Sequence, residues 1–182
     1  MVSNVAPPEE QELITRAQLG DREAFAQLVE SYWERLYRWL YHLTRDRHAA
    51  EDLTQESLLR AFTALTSFAP ATRFQAWLFR IAHNAWVNAN RVRQRVWQTF
   101  PEEVPDQAQG PVASAMSREA LLALTKGVGR LPSEFRAAFL LRVEEDLSFR
   151  EIAEVLQISE ETARWRVFKA RQKLMEVMEE HL

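Results

Sequence analysis

Apolar side chains recur at steps of three and four residues along most of this chain, and that period constrains its fold more than any other feature. The clearest run follows Asp21, extends to about Thr44 and has the following apolar members: Phe25, Leu28, Val29, Tyr32, Trp33, Leu36, Tyr37, Leu40 and Leu43. Such spacing places apolar groups on one face of a helix. Asp21 is a suitable N-cap for this helix, and Gly20 ends a shorter helix around residues 10–19. The chain is therefore predicted to begin with two helices.

Two further helices are predicted between residues 48 and 96. The first extends from about residue 48 to residue 66, and its predicted inward side chains are Leu58, Leu59, Phe62 and Leu65. The second extends from about residue 73 to residue 96, and its predicted inward side chains are Phe74, Trp77, Leu78, Ile81, Ala85 and Val92. Pro70 lies between them and breaks the helix. These four helices form a predicted unit over residues 10–97.

A proline-rich segment separates these helices from the rest of the chain. Residues 98–117 read QTFPEEVPDQAQGPVASAMS, with three prolines, one glycine and little periodicity. Such a composition predicts a flexible linker. Helical spacing returns beyond it, over residues 118–180. The polar residues and the proline that are predicted to start helices there are Pro132, Ser133, Ser148 and Ser159.

Composition agrees with an all-α protein of two small helical domains, residues 10–97 and 118–180, joined by the linker. The 182 residues include only four glycines, and 27% are charged, a balance that favours helices over turn-rich sheets. Cysteine is absent, which excludes a disulfide framework and thiolate metal sites. No signal-peptide pattern occurs, and no apolar stretch approaches the roughly 18 residues that span a bilayer. We expect a cytoplasmic protein.

Charge is unevenly distributed, although the net charge is only −3. No Asp or Glu occurs from Ser57 to Pro101, and the arginines of that stretch are Arg60, Arg73, Arg80, Arg91, Arg93 and Arg95. Tryptophans, phenylalanines and asparagines lie among them. Phosphates require cations, and single-stranded bases require stacking surfaces and amides. The sequence therefore predicts one positive surface for nucleic acid, although most of the aromatic residues are expected to lie in the core.

Residues 148–174 have the pattern of a helix-turn-helix, which is a short helix, a break of about three residues and a longer basic helix. The residues predicted to hold the two helices together are Ala153, Ile158, Ala163 and Val167. The basic residues of the second helix are Arg164, Arg166, Lys169, Arg171 and Lys173. Gln157 occupies a turn position where glycine is often found. A plain helical hairpin with a solvated basic face is the alternative for this segment.

Three motifs together resemble the successive regions of a bacterial extracytoplasmic-function (ECF) sigma factor. They are AEDLTQESLLRAF, FQAWLFRIAHNAWVNANRVRQR and LPSEFRAAFLLRVEEDLSFREIAEVLQISEETARWRVFKARQKL. The resemblance covers residues 13–174. It implies that the first domain is region 2, which binds the polymerase clamp and opens the promoter at its minus-ten element. It implies that the second is region 4, which binds the minus-thirty-five element as duplex.

The resemblance also implies a set of contact residues. Those expected to contact the clamp helices of the largest polymerase subunit are Asp52, Gln55 and Glu56, and a solvated acidic helix start is the alternative. Those expected at the minus-ten element are Arg73, Arg80, Asn84, Asn88, Arg91 and Arg93. The loop from Ser67 to Arg73 is expected to form a pocket for an unstacked base. Those expected at the minus-thirty-five element are Thr162, Arg164, Trp165, Phe168, Lys169 and Arg171.

Three positions depart from the family pattern. Asn88 stands where the family often has an acid, and His83 stands where a basic residue is common. Trp165 stands where a small polar residue is frequent. Its indole either packs on a thymine methyl or a sugar, or covers a neighbouring helix.

The implied partners are core RNA polymerase and promoter DNA, and relatives are often held by an anti-sigma factor, which nothing in the sequence identifies. No enzyme, cofactor or metal site is predicted, because there is no phosphate loop and the histidines lack ligand spacing. One alternative is a stand-alone helix-turn-helix regulator with an N-terminal effector or dimerisation domain, which would bind duplex DNA specifically without polymerase. A helical scaffold without salt-dependent DNA affinity is the other.

Overall fold

The computed structural model describes residues 8–69, 72–97 and 118–179, and every regular element in these ranges is a helix. The helices are α1 (Pro8–Gln18), α2 (Arg22–Thr44), α3 (Arg47–Ala64), a 3₁₀ turn (Leu65–Ser67), α4 (Phe74–Trp97), α5 (Arg118–Arg130), α6 (Ser133–Val143), α7 (Phe149–Leu156) and α8 (Glu160–Glu179). They form two compact units, divided between residues 101 and 102. The all-α prediction is confirmed for this part of the chain, and residues 98–117 lie outside it.

The turn between α1 and α2 follows the predicted chemistry. The Asp21 carboxylate accepts hydrogen bonds from the backbone N–H groups of Glu23 at 3.0 Å and Ala24 at 3.1 Å, which makes Asp21 the N-cap of α2. The pKa of Asp21 is lowered below its usual value, mainly by the hydrogen bond from the Ala24 N–H and next by the hydrogen bond from the Arg16 guanidinium. Gly20 has a φ of +94°, and glycine adopts this region without steric cost.

Aromatic side chains from α2 and α4 build the core of the first unit. Trp39 and Phe79 are fully buried, and their rings meet edge to face with centroids 5.5 Å apart. Tyr32 is also buried, and its hydroxyl donates a hydrogen bond to Glu10 of α1. Burial is the main cause that raises the pKa of Tyr32 above its usual value, and the hydrogen bond to the Glu10 carboxylate raises it further. The phenol therefore stays a proton donor and connects α1 to α2.

Two of the inward positions predicted for α3 are wrong. Leu59 is 68% exposed and Phe62 is 46% exposed, whereas Leu58 and Leu65 are buried as predicted. The face that α3 buries consists of Ala50, Leu53, Thr54, Ser57, Leu58 and Ala61.

Hydroxyl groups explain why polar residues of α3 take those inward positions. The Thr54 hydroxyl donates to the carbonyl of Ala50, and the Ser57 hydroxyl donates to the carbonyl of Leu53, one turn earlier in each case. A buried hydroxyl that forms such a bond avoids the cost of an unpaired polar group. Small residues at these positions let α3 pack closely, whereas Leu59 and Phe62 point outward.

The predictions for α4 are confirmed at Phe74, Leu78 and Ala85, which are buried. Trp77 and Ile81 are only partly buried. Val92 lies in the part of α4 for which only the backbone is described.

In the second unit, α8 packs against α5, α6 and α7. Gly127 of α5 faces Leu174 of α8, and a Cβ at Gly127 would lie 3.0 Å from Leu174 Cδ2. The absence of a side chain therefore permits this close approach. The buried Arg136 donates through Nη2 to the carbonyls of Gly129 at 2.8 Å and Leu131 at 2.6 Å. The Arg136 guanidinium thereby supplies hydrogen-bond donors to carbonyl groups at the C-terminal end of α5, which have no partner within that helix.

Adjacent leucines on α3 provide a matched test of this packing. Leu58→Ala should lower the free energy of unfolding by about 2–5 kcal/mol, because it removes buried methyl groups and leaves a cavity. Leu59→Ala should change it by less than about 0.5 kcal/mol, because Leu59 faces solvent. Urea unfolding, monitored by circular dichroism, measures both changes in the free energy of unfolding. Equal losses for the two variants would show that Leu59 is as well packed as Leu58.

Candidate functional site

The predicted polymerase contacts, Asp52, Gln55 and Glu56, lie together on the outer surface of α3, and we name them the acidic patch. Asp52 and Gln55 are exposed, and the partly exposed Glu56 carboxylate accepts a hydrogen bond from the guanidinium of Arg60 one turn later. Leu59 follows Gln55 by four residues, so it extends the same face. The patch thus adjoins an exposed apolar side chain, which the sequence analysis had assigned to the core.

Phe62 adds a second apolar group near the acidic patch. Its ring packs edge to face on Phe25 of α2, with centroids 4.9 Å apart, and about half of the side chain stays exposed. The ring therefore packs against α2 and also contributes exposed apolar surface beside the patch.

The predicted minus-ten contacts on α4 lie opposite its buried face. At 100° per residue, the positions of Arg80, Asn84, Asn88 and Arg91 fall within an arc of about 80°, and we name them the α4 stripe. Arg80, Asn88 and Arg91 are exposed, and Asn84 is half-buried. Helical periodicity therefore brings these four predicted residues onto one surface.

The two remaining minus-ten candidates are less fully defined. Arg73 immediately precedes α4, and its Nη2 donates to Gln75 Oε1 at 2.6 Å. Arg93 lies where α4 is described by its backbone alone. The pocket expected between Ser67 and Arg73 includes Pro70 and Ala71, which lie outside the described residues.

Trp77 is a residue of this surface that the sequence analysis missed. It precedes Arg80 by three residues and Asn84 by seven, so it belongs to the same helical face. Its ring centroid lies 5.2 Å from that of Phe68 and 5.5 Å from that of Phe74, and the side chain is only half-buried. One aromatic surface is therefore partly accessible beside the α4 stripe. The spacing of three residues to Arg80 and seven to Asn84 is the sequence feature that could have placed Trp77 on this face.

Local hydrogen bonds define both ends of α7. The Ser148 hydroxyl accepts from the Glu151 N–H at 3.2 Å, and the Glu151 carboxylate accepts from the Ser148 N–H at 2.7 Å, which completes a capping box. Gln157 ends the helix with a φ of 56°, in the left-handed region, and its N–H donates to the carbonyl of Ala153. The turn thus forms without glycine. The Ser159 hydroxyl then caps α8 by accepting from the Thr162 N–H at 3.1 Å.

The helix-turn-helix packs as predicted. Ala153, Ala163 and Val167 are buried between the helices, and Ile158 in the turn is partly buried. The small side chains at Ala153 and Ala163 let α7 and α8 approach closely, and the outer face of α8 stays uncovered within this unit.

The predicted minus-thirty-five contacts all have accessible side chains on α8. Arg164, Trp165, Phe168 and Arg171 are exposed, with Trp165 at 50% and Phe168 at 63%, whereas Thr162 and Lys169 are half-buried. The Trp165 ring meets Phe135 of α6 edge to face, with centroids 5.4 Å apart. The indole therefore covers a neighbouring helix and still keeps half of its surface accessible.

Arg164 and Arg166 have different environments. Arg166 Nη2 pairs with Glu134 Oε2 of α6 at 3.1 Å and is mostly buried, so it connects two helices. Arg164 is exposed, and its Nη2 donates to Glu160 Oε1 at 2.9 Å. Its Cζ also lies 4.5 Å from the centroid of the Phe149 ring.

Within the described ranges, no group of three or more histidine and acidic side chains is arranged to hold a metal ion. The helices described there are also too short or too polar to span a membrane.

Two family descriptions match the chain in order. "Sigma-70 region 2" matches residues 28–96, and "Sigma-70, region 4" matches residues 121–174. The first match includes the acidic patch and the α4 stripe, and the second includes the helix-turn-helix.

Similar proteins agree with these matches. The ECF RNA polymerase sigma factor SigM of Bacillus subtilis is 30% identical over 149 residues, which are 81% of this chain and 91% of SigM. SigW of the same organism is 27% identical and covers 88% of this chain and 92% of SigW. The ECF sigma factor SigE of Mycolicibacterium smegmatis is 34% identical over 89% of this chain, and the chain spans 65% of the length of that relative.

Solved structures show the same architecture. The sigma factor RpoE, crystallised with the anti-sigma factor NepR from Bartonella quintana, is 26% identical with a TM-score of 0.74, covering 85% of this chain and 96% of RpoE. CnrH, solved in complex with the cytosolic domain of CnrY, is 24% identical with a TM-score of 0.69, covering 94% of this chain and 97% of CnrH. The likeness to CnrH shows the fold.

The chain therefore belongs to the ECF family of sigma-70 RNA polymerase sigma factors. It is a regulatory protein of transcription initiation, and proteins of this family bind core RNA polymerase and promoter DNA. A stand-alone regulator is not favoured, because the region 2 description matches the first unit.

The capping box of α7 gives a prediction about the helix-turn-helix. Ser148→Ala should lower the free energy of unfolding by about 1 kcal/mol, because it removes the acceptor for the Glu151 N–H. Ser148→Thr should lose less, because its hydroxyl can accept the same bond. Thermal unfolding of the full chain measures the difference. An alanine variant as stable as the threonine variant would show that the cap contributes nothing.

Proposed function

We propose that this chain binds core RNA polymerase and directs promoter-specific transcription initiation. In this proposal residues 10–97 act as region 2, at the polymerase clamp and the minus-ten element. Residues 98–117 act as the linker, and residues 118–180 act as region 4, at the minus-thirty-five element. The observation that supports the proposal most strongly is the order of the two family matches, each of which contains an accessible surface of suitable chemistry.

The acidic patch suits a basic partner surface on polymerase. Asp52 and Glu56 supply negative charge, Gln55 supplies an amide, and Leu59 supplies an apolar contact beside them. Complete burial of a leucine side chain contributes about 1.5–3 kcal/mol. An exposed ion pair contributes less than about 1 kcal/mol. The apolar neighbour would therefore add affinity, and the charges would orient the partner.

The α4 stripe suits an unpaired strand at the minus-ten element. Arg80 and Arg91 would neutralise phosphates, and Asn84 and Asn88 would form hydrogen bonds to base edges. Trp77, partly exposed beside them, offers a stacking surface, which is worth about 1–3 kcal/mol per base in comparable sites. The lack of acidic residues from Ser57 to Pro101 removes charge that would repel the strand.

The exposed face of α8 suits the major groove of the minus-thirty-five element. A groove of about 12 Å admits one helix. Arg164 is proposed to bind a guanine edge, and Arg171 is proposed to neutralise a phosphate. Trp165 and Phe168 present apolar surface for thymine methyl groups.

We infer that the protein works in the cytoplasm with polymerase and performs no catalysis itself. The relative RpoE is solved with an anti-sigma factor, and that complex supports the proposal that an anti-sigma partner controls this chain by covering one of these surfaces.

Run-off transcription with core polymerase on a promoter library tests the proposal. The wild-type chain should direct transcripts from a subset of promoters. The Asp52→Lys, Glu56→Lys double variant should lose core binding, because reversed charges would repel a basic partner. The matched control is Glu30→Lys, Glu34→Lys, which reverses two exposed acids at the same spacing on α2 and should keep core binding.

Two outcomes would contradict this proposal. If wild-type protein neither binds core polymerase nor directs any transcript, the sigma assignment fails. If both double variants bind core polymerase equally well, the acidic patch is a solvated helix surface.

Substitutions on α8 should separate base recognition from phosphate binding. Arg164→Ala should lose about 1–3 kcal/mol and relax the preference at one or two base pairs of the minus-thirty-five element. Arg171→Ala should weaken all promoters alike and reduce the salt slope by about one unit. Transcription across single-base promoter variants at several salt concentrations measures both. The same uniform loss in both variants would indicate a helix that contacts the DNA backbone only.

A further inference from the structure

Arg164 is an exposed side chain that contacts two other side chains of the helix-turn-helix, Glu160 and Phe149. Glu160, one turn earlier on α8, accepts a hydrogen bond from Arg164 Nη2 at 2.9 Å. Phe149, the first residue of α7, lies under the guanidinium, with Cζ 4.5 Å from the ring centroid. The contacts differ in kind, because the first is a hydrogen bond between charged groups and the second is a cation–π contact.

The Phe149 ring is itself connected to the rest of the unit. The guanidinium of Arg142 on α6 also lies over this ring, with Cζ 5.3 Å from the centroid. Arg142 Nη1 donates to the carbonyl of Leu147 at 2.9 Å and lies 3.7 Å from Asp146 Oδ1. Contacts therefore extend from α6 through Phe149 to Arg164, and Arg164 does not depend on Glu160 alone.

The chemistry of arginine makes this support useful at a base. A guanidinium has five N–H donors in one plane. The Glu160 oxygen takes one of them, and the cation–π contact with the Phe149 ring requires none, so other donors remain for the O6 and N7 acceptors of guanine. Arginine is among the side chains that lose the most rotamer freedom when they are fixed. A side chain held in place before binding loses less when the complex forms.

We propose that Glu160 and Phe149 are positioning residues that fix Arg164 for recognition of guanine in the minus-thirty-five element. The inference rests on the proposed function of α8. Neither residue is assigned a base contact, because each acts through the Arg164 guanidinium. Loss of either residue reduces discrimination at the base pair that Arg164 contacts, and leaves preferences at other base pairs unchanged.

The chain provides a matched control for the charge of Glu160. Glu154 of α7 also forms an exposed pair with an arginine four residues away, because Arg150 Nε lies 3.4 Å from Glu154 Oε1. Glu154→Ala and Glu160→Ala remove the same charge from the helix-turn-helix, so they change non-specific attraction to DNA in the same direction. Only the second change removes a partner of Arg164.

The experiment is transcription by core polymerase with the full chain, on single-base variants of a minus-thirty-five element selected from the library. Arg164→Ala first identifies the base pair whose preference it relaxes. At that base pair, Glu160→Ala and Phe149→Leu should each reduce the preference about two- to fivefold, the effect of one exposed ion pair or cation–π contact. Glu154→Ala should leave the preference unchanged. Circular dichroism confirms that each variant is folded.

Conservative variants and a double-mutant cycle distinguish positioning from a general structural effect. Phe149→Tyr keeps the aromatic face, and Glu160→Gln keeps an acceptor oxygen, so both should recover part of the preference. The Arg164→Ala, Glu160→Ala double variant should lose no more preference than Arg164→Ala alone, because the two residues act as one unit.

The inference fails if Glu160→Ala matches Glu154→Ala, if Phe149→Leu leaves the preference intact, or if the losses in the double variant are additive. In those cases transcription and the effect of Arg164→Ala persist, so the proposed function stands. If Arg164→Ala itself leaves every base preference unchanged, the proposed role of α8 and this inference fail together. If wild-type protein directs no transcript, the sigma function fails.

Discussion

The amphipathic period of the helix determines where this protein presents its polar groups, because a helix that buries one face must expose the opposite face. On α4, burial of Phe74, Leu78 and Phe79 turns Arg80 and Asn88 outward. On α8, the buried residues Ala163, Val167, Ala170 and Leu174 have the same effect on Arg164 and Phe168. The outward groups proposed to contact DNA are therefore oriented by packing on the far side of each helix.

Features that depend on residues close in sequence could be predicted before the structure. The caps at Asp21, Ser148 and Ser159 form hydrogen bonds within three residues, and short-range chemistry of this kind is visible in the sequence. The helix-turn-helix was predictable for the same reason, since the small residues Ala153 and Ala163 occur at fixed positions beside the turn.

Features that depend on contacts between helices were predicted less well. Leu59 and Phe62 were assigned to the core because they are apolar, but Thr54 and Ser57 satisfy their hydroxyl groups within α3 and occupy inward positions. The position of the Phe149 ring under Arg164 depends on how α7 and α8 cross. Spacing along one helix does not specify such a contact.

The outward position of Leu59 and Phe62 also affects how the free protein behaves in solution. Water against apolar surface costs about 25 cal/mol per Å², and the same surface can self-associate in the absence of a specific partner. A net charge of −3 gives only weak repulsion between copies, and salt weakens it further. Self-association of the uncomplexed chain should therefore increase as protein concentration and ionic strength rise, so this exposed apolar surface limits how much free protein a solution can hold.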